Sequence, residues 1–175
     1  MKVITVNHTG LQKDDFLVEC SCGCSYMRVC RWDILDDDKP GIIVGFFNGY
    51  CDKKQAKLKY NPEVLLCPEK AYEVVRFVDI KFISEIEIGV DGNNKNERLV
   101  LRLKRSERDC PEVRYDYDIS LIVRKRKHGD KMCDRYLGAI CLQQEEFEEF
   151  GEAYKKIYYD MMRKVSDAFI NDLQK

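Results

Sequence analysis

The sequence predicts an α+β protein of antiparallel sheets and two helices, the second helix long. Three observations carry that expectation. Between residues 113 and 123, Val113, Tyr115, Tyr117, Ile119, Leu121 and Val123 alternate with Arg114, Asp116, Asp118 and Ser120, the period of two of a strand with one dry and one wet face. At Gln143 the period becomes three and four, so that Phe147, Phe150, Tyr154, Ile157, Met161, Val165 and Phe169 fall on one helical stripe. The same succession, short strands and then a helix, occurs earlier around Pro68, whose missing N–H suits a first helical position.

Taken in order, residues 2–6 read as an edge strand closed by His8-Thr9-Gly10. Residues 16–19 and 26–34 read as strands flanking Cys20-Ser21-Cys22-Gly23-Cys24, and Asp36-Asp37-Asp38-Lys39-Pro40-Gly41 as a turn. The continuous apolar run 42–47 suits a strand covered on both faces. Residues 57–66 add one or two short strands, and Ala71, Val74, Val75 and Val78 give the helix that starts at Pro68 its apolar side. A hairpin follows, 80–90 and 98–104, turning at Asp91-Gly92-Asn93-Asn94. In its returning strand Leu99, Leu101 and Leu103 share one face, and Arg98, Arg102 and Lys104 the other. After the long alternating strand, the polar turn 127–131 leads to a returning strand at 137–142.

Read this way the chain repeats a theme, with a β-rich unit ending in a helix over 1–80 and a ββββα unit over 81–175. Tandem ββββα units explain the repeat; one continuous domain, a mixed sheet carrying two helices, is the alternative. The last helix, from Gln143 to about Leu173, has acidic residues in its first turns and Lys155, Lys156, Arg163 and Lys164 later, an order that complements the helix dipole. A helix of that length outreaches a domain of this size. Burial of Tyr158, Met161, Met162, Val165 and Phe169 against a second copy, a homodimer, accounts for the excess, and packing on the first half of the chain is the simpler alternative.

Hydrophobic residues make up 45% and charged residues 35% of the chain, a globular rather than a disordered composition. The formal net charge of -1 offers nucleic acid no overall attraction, so any basic surface must be local. No apolar run approaches the ~18 residues that cross a bilayer. Residues 1–10 lack the layout of a secretion signal. The odd count of nine cysteines at irregular spacing points to reduced thiols and a cytoplasmic location.

Cys20, Cys22 and Cys24 would line one face of a strand, but zinc knuckles use Cys-x2-Cys pairs and a second matching pair is missing. Structural thiols are the expected reading, with no cofactor and no metal. A cysteine nucleophile needs a nearby base, and the two histidines, His8 and His128, sit near the terminus and in a charged turn. There is no phosphate-binding Gly-rich loop, no Gly-x-Ser-x-Gly elbow and no His-Glu-x-x-His pair, so the chain reads as a non-enzyme. What remains is a basic sheet face. Arg98, Arg102, Lys104 and Arg105 come from one strand, and Arg124, Lys125, Arg126 and Lys127 from the end of another. As neighbours they would form a stripe for a phosphate backbone, with Trp32, Tyr115, Tyr117 or Tyr136 to stack bases.

The stretches Arg114-Tyr115-Asp116-Tyr117-Asp118-Ile119, His128-Gly129-Asp130-Lys131-Met132, Leu137-Gly138-Ala139-Ile140-Cys141-Leu142 and Glu145-Glu146-Phe147 resemble the positive-cofactor-four type of single-stranded-DNA-binding transcriptional coactivators. The resemblance covers residues ~80–160. It implies four antiparallel strands and a helix, dimerisation through the helix and single-strand binding on a curved sheet. The chain departs from the family at Gln143, where a small polar capping residue is usual, and in a longer insert at 132–136. The first half resembles small uncharacterised phage proteins, which implies a different class of function: a phage or mobile-element accessory protein that binds and inhibits a host protein.

Overall fold

The computed structural model describes residues 15–23, 25–32, 40–48, 63–81, 84–90, 97–106, 116–126 and 132–175. They form β1 (Phe16–Glu19), β2 (Ser25–Trp32), β3 (Gly41–Asn48), β4 (Glu63–Leu66), α1 (Pro68–Ile80), β5 (Ser84–Val90), β6 (Glu97–Arg105), β7 (Tyr117–Arg126), β8 (Met132–Leu142) and α2 (Gln144–Leu173). The strands pair as two antiparallel four-stranded sheets, each in simple sequence order, rather than as one mixed sheet. Each sheet runs directly into a helix, so the architecture is two successive ββββα units. The edge strand expected at 2–6 and the turns expected at 36–39, 91–94 and 127–131 lie outside the described residues.

Both helices lack a side-chain cap of their own, for different reasons. α1 begins with Pro68 at its first position, where no N–H needs satisfying. It ends at Lys81 in the left-handed region, φ 62°, with the Lys81 amide bonded to the Phe77 carbonyl. α2 begins after Gln143, whose side chain makes no capping bond. Its free amides are met from elsewhere: Asp116 Oδ2 accepts from the Gln144 N–H at 2.8 Å, and Ser21 Oγ accepts from the Gln143 N–H at 3.2 Å. The first of these comes from the residue preceding β7, the second from the other unit.

Several elements start elsewhere than the sequence pattern placed them, among them the long alternating strand, which begins as β7 at Tyr117. The strand expected from residue 80 begins at Ser84, because α1 keeps Ile80 as its last residue. The strand expected from 137 begins at Met132, so that 132–136 is the upper half of β8. There Tyr136 pairs with Ile122 and Asp134 with Arg124, while lower down Gly138 pairs with Leu121; Leu137 is the extra residue of a bulge. A bulge reverses the inward–outward alternation, which hid the upper half from a reading based on period two.

A single buried cluster draws on both sheets and both helices. Leu99, Leu101 and Leu103 of β6 and Tyr117, Ile119 and Leu121 of β7 face it, as their alternation predicted. At its centre the Tyr117 and Phe147 rings stack at 3.9 Å, with Phe77 of α1 set edge-on to both. The units touch closely at two glycines. A Cβ on Gly138 of β8 would collide with Phe46 of β3, and one on Gly151 of α2 would lie 2.5 Å from Val78 Cγ1 of α1. Beside the second contact, the wholly buried Tyr154 hydroxyl donates to the Ala71 carbonyl at 3.0 Å.

Candidate functional site

Strand alternation divides the expected basic stripe. Arg98, Arg102 and Lys104 of β6 and Arg124 of β7 face outward, whereas Arg105 and Lys125 have the opposite parity. Lys127 and the Arg126 side chain lie outside the described residues. The outward face also carries Glu85 and Glu87 from β5, Asp118 from β7 and Asp134 from β8, so its cations are matched by carboxylates.

Register shows how they meet. Arg124 stands opposite Arg98 and Asp134, while Glu85 stands opposite Arg102, further along β6. The Arg124 guanidinium nevertheless makes two bonds to Glu85, at 2.6 and 3.0 Å, so its side chain crosses β6 over Val100. It also bonds Asp134 through Nε at 2.9 Å and Nη2 at 3.2 Å. Arg102, opposite Ser120, reaches Asp134 at 3.4 Å by crossing β7 over Ile122, and donates to the Tyr136 hydroxyl. Its guanidinium lies 5.4 Å from the Tyr136 ring centroid. Two crossed arginines thus roof Val100 and Ile122, which explains why these residues of the expected wet face are 3% and 0% exposed. The hydrogen bonds from Arg124 hold the Glu85 and Asp134 carboxyls below their usual range, and the two acids raise the arginine above its own.

Two of the remaining cations are paired as well. Arg98 pairs with Glu87 at 3.1 Å, and Lys125 with Glu97 at 3.3 Å. Exposed pairs of this kind contribute about 0–1 kcal/mol each to stability, but each one lowers the net positive charge offered to a phosphate. Of the expected stacking residues, Tyr117 is buried against Phe147, and Tyr115 and the Trp32 side chain lie outside the described residues. Tyr136 alone among the described candidates presents an open ring, 54% exposed.

The helix residues expected at a dimer interface also divide. Tyr158 and Met161 are buried in the chain's own core, and Met162 packs against it. Val165 is half-buried and Phe169 is 64% exposed. From Ser166 onward every residue is exposed. On a helix Tyr158, Met162, Val165, Phe169 and Leu173 share one stripe, so the stripe that closes the core continues uncovered beyond it. Phe169, Ile170 and Leu173 are the large apolar side chains that this end of α2 leaves in solvent.

Cys20 and Cys22 do not line a strand. They lie in the connection between β1 and β2, Cys20 buried and Cys22 exposed; Cys24 is outside the described residues. Among the described residues no group of three or more His, Cys, Asp or Glu side chains is arranged to hold a metal ion. This connection docks along the free edge of β8: the Ser21 amide bonds the Cys141 carbonyl at 2.8 Å and Ser25 Oγ bonds the Ala139 carbonyl at 2.8 Å. Nothing in the sequence pattern marked it as the seam between the units. Among the described residues no helix is long and apolar enough to cross a membrane.

The chain matches no family model, no curated protein and no solved structure.

Proposed function

We propose that the protein is a non-catalytic binding protein whose contact surface is the projecting end of α2, and that this end pairs with a second copy of the chain. The observation that carries this reading is the uncovered continuation of the core stripe through Val165, Phe169 and Leu173. Two helical turns without tertiary support are marginal in water, and large apolar side chains there gain burial only from a partner. A second copy fits because a two-fold axis lays the uncovered stripe of each helix against the same stripe of the other, so that one self-complementary surface covers both. Light scattering coupled to size exclusion is expected to give twice the chain mass for the native protein and a monomer for Phe169→Glu/Leu173→Glu. A native chain that stays monomeric at high micromolar concentration overturns the pairing. The same stripe then fits a groove on a host polypeptide, and a nuclease-treated pull-down from host lysate that loses its captured protein with the double variant would identify that arrangement.

A second reading, single-stranded nucleic acid on the outer face of the second sheet, is favoured by the exposed Tyr136 ring beside Arg102. Because most cations of that face are already paired, binding there would rest on base stacking and show a shallow salt dependence. Fluorescence anisotropy with a labelled oligothymidine is the test. This reading fails if the native protein does not bind at low salt, or if Tyr136→Ala binds as well as the native protein.

A further inference from the structure

The β1–β2 connection brings two sulfurs together and sets one of them against Cys141 of β8, where the two units meet. Cys20 Sγ is 3.2 Å from Cys22 Sγ and accepts a hydrogen bond from the Cys141 amide at 3.2 Å. Cys22 is already disulfide-bonded, whereas Cys20 and Cys141 are free thiols. Cys141 sits opposite Asp118 in the β7–β8 ladder, and Asp118 Oδ1 is buried without a hydrogen-bond partner.

We propose that Cys20 and Cys141 form a peroxide-sensitive pair, in which oxidation by a hydroperoxide joins the two units through a Cys20–Cys141 disulfide. Cys20 is the nucleophile because donors converge on its sulfur: the Cys141 thiol foremost, then the amides of Cys141 and Cys22 and the Ser25 hydroxyl. Together they outweigh burial and lower the thiol to about 6. Cys141 moves the other way, raised by its hydrogen bond to Cys20, by burial and by Asp118. Cys30, buried without such donors, is pushed up to about 12 and stays a thiol.

In the first step the Cys20 thiolate attacks one peroxide oxygen. The O–O bond breaks, a sulfenic acid forms on Cys20, and the departing oxygen leaves as water or an alcohol once protonated. In the second step Cys141 gives up its proton, for which the unpartnered Asp118 oxygen is the nearby acceptor, and its sulfur attacks the Cys20 sulfur. The S–O bond breaks, water leaves, and two thiols have become one disulfide while one hydroperoxide has been reduced.

The test treats the native full-length protein with limiting hydrogen peroxide at pH 7, blocks residual thiols with N-ethylmaleimide and maps the peptides by mass spectrometry. A thiol lowered to about 6 is largely thiolate at that pH, so loss of free Cys20 is expected about tenfold ahead of the exposed Cys133. The expected product is a linked Cys20–Cys141 peptide pair. In Cys141→Ser the sulfenic acid persists and dimedone labels Cys20. Oxidation of Cys133 with Cys20 still reduced, or no dimedone adduct in a folded Cys141→Ser protein, would each overturn the assignment. If that variant does not fold, the native peptide map decides alone.

Discussion

Asp116 supplies the side-chain cap that Gln143 does not provide to α2. Replacing a capping Asp by Ala costs about 1 kcal/mol, within a range of roughly 0.5–2, so Asp116→Ala is expected to lower the unfolding free energy from urea titration by that amount while Gln143→Ala leaves it nearly unchanged. The two contact glycines are stricter. An added methyl at Gly138 meets Phe46, and at Gly151 it meets Val78. Overpacking of this kind costs about 1–3 kcal/mol, and a denaturation series on the two Ala variants checks it. None of these roles was legible in the sequence. A cap read from sequence is sought next to its helix, and Asp116 is separated from α2 by all of β7 and β8. A glycine chosen for close approach looks the same on paper as one chosen for a turn.

Among the elements, α2 is where sequence pattern and structure agree most fully and where function is weighed. Its length and stripe were readable from the spacing of Phe147, Phe150, Tyr154, Ile157 and Met161, all of them buried. Where the stripe leaves the core was not readable, because periodicity records which face is apolar and not what lies opposite. The predicted contrast is large. Met161→Ala should cost about 2–5 kcal/mol as a core truncation, whereas Phe169→Ala in the monomer should stay within about 0.5 kcal/mol. The β5–β8 sheet shows the reverse case. Its Arg and Lys residues were visible in sequence, but their partners were not, since Glu85 and Arg124 meet across an intervening strand. Those carboxyls are lowered in the folded state by Arg124, so their contribution is full above the ordinary carboxylate range and is lost as pH falls below that range through the lowered folded-state values. Asp134→Asn is therefore expected to lower the melting temperature at pH 7, with the deficit shrinking towards zero near pH 2. An equal deficit at both pH values would show that the charge is not what Asp134 contributes.

For the molecule as a whole, the fold class and the repeated unit followed from the alternating strands and the two periodicity switches, at Pro68 and Gln143. The way the units join did not. They share one core, and the aromatic group of Phe77, Tyr117 and Phe147 takes members from both. Residues 81–175 expressed alone would present Phe147, Phe150 and Tyr154 without α1 or β1 to cover them. That fragment is expected to lack a cooperative thermal transition and to bind a hydrophobic dye, as measured by circular dichroism and dye fluorescence. The Ser21–Cys141 seam has a further consequence for biosynthesis. Its bonds join positions more than a hundred residues apart in the chain. When β8 leaves the ribosome, the connection that will line its edge has long since been made. The early half of the protein can then serve as a template on which the later half is completed.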